Sequence, residues 1–579
     1  MLALPSARYL PLAAACLVTL AAPGLRAQAP ATASGPVVSL PPFVVQSAGG
    51  PPWRYTHPPG FEVLSRWSDS NTKEFADELL GARKLFDAVL PPEFQAQFSV
   101  PTTYVLVPDV QTDALPAPLM AQVLAHAQPA GSDSRRPTEV RFTPNLMLWD
   151  RDALVVFGLK PSEAIEDGGV AFFSDLRTRL MLERRTPTLP GWFVSGFYDL
   201  YAGMDFTQRA ADTGAAGWIS KEAVAALAAD PDAPRRLLPL AELFAEPPAA
   251  GAPAAPDALA RARLRQAEAA LFIRWGLDGV GAPRRAALWK FVNAAAAGPV
   301  TEAQFEALFG EDYVSALNDL SDFLPWAATH SLRLVPIQDP VDEEIRMRDA
   351  TPAEVGRIKG DWERLEMDQV ALQYPELVPK YRDRAQETFN LAYQDDKSDP
   401  GLLAVMGLFA VDCGQPTVAE PLLRAAAAGH VVRPRVYYEL ARRLLTELTT
   451  PAPGKAPPAL TPIQAGTLLE LLDQARAQAP ALPEVFGLYY EVTQAAEARP
   501  SPALLNVFRE GVRLFPENPA LSYEAAIMLA RGGDLAGAGA VLQRGLALAT
   551  EPTLRSHMAT LQSELVSIQR GRGAAATTP

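Results

Sequence analysis

From Trp53 onward the chain switches between two hydrophobic periods. FEVLS (61–65) and TTYVLV (102–107) are short apolar runs rich in β-branched and aromatic residues, and they predict strands. Between them Phe75, Leu79, Leu80, Leu85 and Phe86 recur at helical spacing and predict a helix over Thr72 to Leu90. EVRFTPNLMLW (139–149) and ALVVFGL (153–159) predict two further strands joined by Asp150-Arg151-Asp152, and 164–182 reads as a helix. Strand, helix, strands, helix is an α+β order rather than a doubly wound one.

Residues 192–330 read as mainly helical, with a Pro/Ala stretch (246–258) as a loop. Helical patterns cover 259–277, 284–297, 302–308 and 313–326, and everything after about 340 is helical in pattern. Segments 402–429 and 521–548 resemble each other. Aligning Gly414 with Gly533 pairs Ala419 with Ala538, Leu423 with Leu542, and Met406-Gly407 with Ala525-Ala526. Small residues at these offsets let two antiparallel helices approach while the leucines fill the seam. The pattern resembles the tetratricopeptide repeat, a helix–turn–helix unit of ~34 residues. Pro400 to Pro434 is 34 residues, Pro434 to Pro483 is 49 and Pro483 to Pro519 is 36, the long interval holding the insertion TTPAPGKAPPALTP (449–462). A generic α-hairpin array without repeat ancestry fits the same pattern.

The 579 residues, 48% hydrophobic and 20% charged, describe a globular chain, and at ~150 residues per domain they predict three or four domains. Formal charge is −14 with no basic block, so nucleic acid is not an expected partner. The first 27 residues read as a signal peptide: Arg8 is a sparse basic region, Tyr9 to Pro23 an apolar run too short to span a membrane, and Leu25-Arg26-Ala27 offers a cleavage site. A lipoprotein reading through Cys16 has a weaker motif. Cleavage would leave a mature chain without a transmembrane anchor, periplasmic or extracellular, with Cys413 as its one thiol. Residues 28–52 form a Pro/Ala-rich lead-in, and its Phe43-Val44-Val45 reads equally as an edge strand or as an apolar patch in a linker. Five histidines, isolated in sequence, leave little for a metal to bind.

AFFSDLRTRLMLERRTPTLPGWFVSGFYDLYAG (171–203) resembles gluzincin-like metallopeptidases of the peptidase MA type, in which a helix bearing HExxH is followed by LPxWxxEG and an aromatic-rich helix. Leu189-Pro190-Gly191-Trp192 matches LPxW, Gly196 the glycine of EG, and 197–201 the helix that follows. The resemblance covers about 53–326, and it implies an emptied site. Asp175 and Arg179 stand where the zinc-binding histidines would be, Leu176 replaces the catalytic Glu, and Ser195 the third ligand. A permanently cationic Arg179 repels zinc, and Leu176 cannot activate water. Ser195 is not a nucleophile of the GxSxG kind, since Phe193 replaces the first glycine.

The expected architecture is therefore an α+β gluzincin-like domain (53–330), a helical connector (331–385), an all-α tetratricopeptide-like solenoid (386–568) and a disordered tail (569–579). The expected function is binding or scaffolding of a protein or peptide by an exported pseudo-peptidase with no metal or cofactor. The rivals are a working metallopeptidase with unconventional ligands and a repeat-only adaptor.

Overall fold

The computed structural model describes residues 52–89, 91, 99–107, 145–159, 185–202, 204–207, 210–213, 237–245, 258–278, 282–334, 344–373 and 375–576, all within one compact unit spanning 43–579. The expected leader (1–27), nearly all of the lead-in, and the helix expected at 164–182 lie outside these residues.

The strands form where the hydrophobic runs place them: β1 (Arg54–Thr56), β2 (Phe61–Ser65), β3 (Thr102–Val107), β4 (Asn145–Trp149) and β5 (Leu154–Leu159), with α1 (Asp69–Val89) between β2 and β3. The six-stranded sheet has the order β4-β5-β3-β2-β1-β9, closed by the late strand β9 (Arg348–Asp349). The sheet is mixed. β2–β3 and β3–β5 are parallel, while β1–β2, β4–β5 and β1–β9 are antiparallel.

All five residues of β2 are buried, because both faces of the sheet are covered. On one face Phe61, Val63, Tyr104, Leu106, Leu154 and Val156 pack under Phe75, Ala76, Leu79 and Leu80 of α1. On the other, Leu64, Val105, Val107, Leu148 and Val155 meet Val355, Ile358, Trp362 and Leu365 of α8 (Pro352–Gln373). Glu62 points into this second face. Arg357 donates to both its oxygens, at 3.0 and 2.6 Å, and Thr103 and Tyr55 add bonds at 2.7 and 2.9 Å. Burial alone would raise the Glu62 carboxyl, but Arg357 and these donors hold it at about 2. The segment expected as a helical connector, 331–385, thus also supplies a strand and the helix that completes the sheet's core.

The middle region forms α2 (Gly191–Ala202), α3 (Leu240–Phe244), α4 (Ala258–Asp278), α5 (Ala282–Ala297), α6 (Glu302–Phe309) and α7 (Tyr313–Ala327). One difference from the helical expectation is a three-stranded antiparallel sheet of β6 (Met204–Thr207), β7 (Ala210–Thr213) and β8 (Leu332–Leu334). The third strand arrives from more than a hundred residues away, a pairing that no local period encodes.

After α8 come α9 (Val378–Asp395), α10 (Pro400–Asp412), α11 (Pro416–Ala428), α12 (Pro434–Thr449), α13 (Pro462–Arg476), α14 (Pro483–Ala495), α15 (Pro502–Leu514), α16 (Pro519–Gly532), α17 (Leu535–Leu548) and α18 (Pro552–Ala576). They pack as successive hairpins, α8/α9 through α16/α17, with α18 against the last. The proline intervals read from sequence mark the first helix of each hairpin from α10 to α16. Proline fits there because the first helical position needs no N–H donor. The 449–462 insertion is the loop between α12 and α13. Gly414 and Gly533 occupy matching turns with φ of 68° and 95°. A Cβ at Gly407 would lie 2.7 Å from Leu423, so the expected close helix approach is present. Helix α18 continues to Ala576, through most of the segment expected to be a disordered tail; the alanine run 574–576 suits a helix.

Candidate functional site

Helix α2 carries the residues that matched the peptidase pattern. It starts at Pro190, whose carbonyl accepts the N–H groups of Phe193 and Val194 at 2.9 and 3.1 Å. Its two faces differ. Trp192, Phe193, Phe197 and Leu200 are buried among the aromatic rings of α3, α4, α5 and α6, with Trp192 5.1 Å from Phe244 and 5.7 Å from Phe272. Gly196 lies against α4, where a Cβ would come within 2.5 Å of the Ala269 backbone. The motif glycine and tryptophan are therefore accounted for by packing.

The other face, Gly191, Val194, Ser195 and Tyr198, lines a cleft of about 560 Å³ with Thr188, Leu189 and Gln266. Ser195, the position of the third ligand, is half-buried on this face, and its Oγ donates to the Trp192 carbonyl at 3.2 Å. The described lining holds no carboxylate, imidazole or thiolate. Among the described residues no group of three or more His, Cys, Asp or Glu is placed to hold a metal. Asp175, Leu176 and Arg179 lie outside the described residues, so Ser195 is the one candidate the structure places.

Close to this core Glu268 of α4 is fully buried. One oxygen accepts the Leu238 N–H at 2.6 Å, and the other has no hydrogen-bond partner among the described residues. Burial pushes its carboxyl up to about 8 against the Leu238 bond, and the Glu242 charge adds to the rise. The folded chain holds this proton more tightly than the unfolded one, so stability is lost as pH rises from the ordinary carboxylate range through 8. Glu268→Gln is expected to remove up to about 1.4 kcal/mol of this loss per pH unit. Thermal unfolding of both proteins from pH 5 to 9 reads it, and parallel profiles would refute it.

The densest chemistry lies elsewhere, at the junction of sheet and helical array. The β4–β5 turn inserts Asp150 and Asp152 among three arginines, one from α8 and two from the start of α12. Arg364 of α8 reaches Asp150 at 2.6 Å and Asp361 and Asp412 at 2.8 Å. Arg433 contacts Asp152 and Asp361 at 3.0 and 2.9 Å. Arg435 contacts Asp150 at 2.9 Å and also pairs with Asp412, while its backbone N–H at the start of α12 donates to Asp152 at 2.9 Å. Burial opposes charge here, yet the three guanidiniums hold Asp150 well below the usual carboxylate range, whereas burial still raises Asp152. A second link ties Ser99 N–H to the Ala479 carbonyl at 3.0 Å. Sequence reading noted 150–152 only as a turn. Two acids flanking an arginine there, and Arg-Pro-Arg at 433–435, were the available signals.

Between the two aspartates Arg151 points along the array. Its guanidinium lies 3.5 Å from Glu484 of α14, 4.0 Å from Glu439 and 5.9 Å from the ring centre of Tyr438 on α12. Beyond it on the same succession of first helices stand Glu491 and, on α16, Glu524. Burial and then the Glu491 charge push Glu524 up to about 7. Glu491 is raised by burial against the pull of Arg442.

No protein-family model and no curated protein matches the chain. Among solved structures, YrrB, a tetratricopeptide protein with an unusual peptide-binding site, is 13% identical, with 36% of this chain and 98% of that chain covered and a TM-score of 0.25. Pseudomonas aeruginosa pilF is 18% identical over 38% of this chain and 90% of its own, with a TM-score of 0.26. Yeast Tom70 is 12% identical over 70% and 76%, with a TM-score of 0.26. The helical-repeat character of residues 400–548 rests on their own hairpin packing, not on these distant likenesses. No helix among the described residues is long and apolar enough to cross a membrane.

Proposed function

We propose that this chain is an exported, non-catalytic pseudo-peptidase whose tetratricopeptide-like hairpins bind a protein or peptide partner. The observation that carries the binding role is the face formed by α12, α14 and α16, on which Arg151 of the chain's own β-turn is already seated between Tyr438, Glu439 and Glu484. Helical arrays offer such extended faces to extended ligands. The pseudo-peptidase part rests on the sequence at Asp175, Leu176 and Arg179, and on a serine rather than a carboxylate facing the α2 cleft. Export to the periplasm or exterior rests on the first 27 residues.

The junction counts against a repeat-only adaptor. A cut near residue 340 would strip the sheet from Val355, Ile358, Trp362 and Leu365, exposing a core face of α8. The test uses the full chain. Purified without chelator, it is expected to carry far less than stoichiometric zinc, to leave casein uncut, and to bind members of a random peptide library. Stoichiometric zinc with casein cleavage would replace this reading with the metallopeptidase one.

A further inference from the structure

The seat of Arg151 shows what this helix face accepts. The guanidinium meets two carboxylates and an aromatic ring on the first helices of two successive hairpins. The arginine socket beside it, Arg364, Arg433 and Arg435, is filled by the chain's own Asp150 and Asp152. What continues past the turn is of one sign. Glu484 and Glu491 sit seven residues apart, two turns along one side of α14, with Gly487 between them. A Cβ at Gly487 would stand 3.5 Å from Glu524 Oε2, so the carboxylate of α16 lies against this side of α14. Arg442, whose charge acts on Glu491, is already engaged by Glu439 at 2.6 Å. Glu491 and Glu524 have no ion pair among the described residues. Glu524 is only half-buried and so reachable from solvent.

We propose that the face of α12, α14 and α16 binds an extended peptide rich in lysine or arginine, with its basic side chains on Glu491 and Glu524 in continuation of the site that Arg151 occupies. This deepens the binding role proposed above and rests on it. Charge complementarity and continuity with the Arg151 contact identify the occupant. An extended chain advances ~3.3 Å per residue and packed helices lie ~8–10 Å apart, so basic residues three apart fall on successive helices. Arg151 closes the α12 end of the face.

The test is fluorescence polarisation on the full chain at about pH 8.5, where Glu524 is ionised, with two dye-labelled probes, four repeats of Ala-Ala-Lys and four of Ala-Ala-Glu. The lysine probe is expected to bind with an affinity that falls as salt rises, and the glutamate probe not to bind. Glu491→Gln with Glu524→Gln is expected to weaken binding about tenfold. Glu517→Gln with Glu564→Gln, equal in charge but exposed elsewhere on the array, should leave it unchanged. Arg151→Ala should tighten binding by freeing Glu484, and matched unfolding temperatures check that the variants fold. Equal affinity for the glutamate probe, or an unaltered affinity in the Glu491/Glu524 double variant, overturns the proposal. If only neutral or acidic library peptides bind, this inference fails and the general binding role stands; if no peptide binds, both fail.

Discussion

Arg364→Ala is expected to destabilise the chain by about 3–5 kcal/mol, because it leaves buried carboxylates without their central counter-ion. Arg364 is 1% exposed and bridges the sheet's turn (Asp150), its own helix (Asp361) and the next hairpin (Asp412). Its removal leaves Asp150, Asp361 and Asp412 to Arg433 and Arg435 alone, and burial opposes the charge of the first two. The effect should reach beyond stability. The turn that seats Arg151 is held by this network, so the sheet and array should also separate into two unfolding steps. Calorimetry reads both effects. A single transition shifted by less than the equivalent of about 1 kcal/mol would mean that the apolar contacts of α8 hold the junction alone.

Trp192→Ala is expected to cost about 3–5 kcal/mol through the cavity it opens among Phe193, Phe244, Phe272 and Phe291. Trp192→Phe should cost under about 1.5 kcal/mol, since the indole N–H has no hydrogen-bond partner among the described residues to lose. Denaturant unfolding separates the two. Equal costs for both variants would show that the indole N–H matters, and that packing is not the reason a tryptophan stands at the LPxW position.

Legibility in the sequence followed the range of the interaction. Strands β2, β3 and β5, and the helices from α4 onward, are written in local periods, and the prolines and Gly414 and Gly533 punctuate the hairpins at their true turns. The β6–β7–β8 sheet, β9 and the role of α8 as cover for the main sheet depend on partners tens to hundreds of residues away. The charged junction is the extreme case: Asp152 and Arg433 are separated by 281 residues, and the local charge pattern at either end does not name its partner. At the α2 cleft the resemblance gave Ser195 the position of the third ligand, and the structure puts it on the open face of that helix. The same resemblance read Gly196 as part of a catalytic motif, and the structure gives that residue a packing reason. The reading of Asp175, Leu176 and Arg179 rests on sequence.

The central claim, binding on the helical array without hydrolysis, is tested most directly by hydrogen exchange of the full chain with saturating Ala-Ala-Lys peptide, alongside the mass of the peptide after prolonged incubation. The account predicts slowed exchange in α12, α14 and α16, unchanged exchange at 188–202, and an intact peptide. Protection centred on 188–202, or a cleaved peptide, would contradict it.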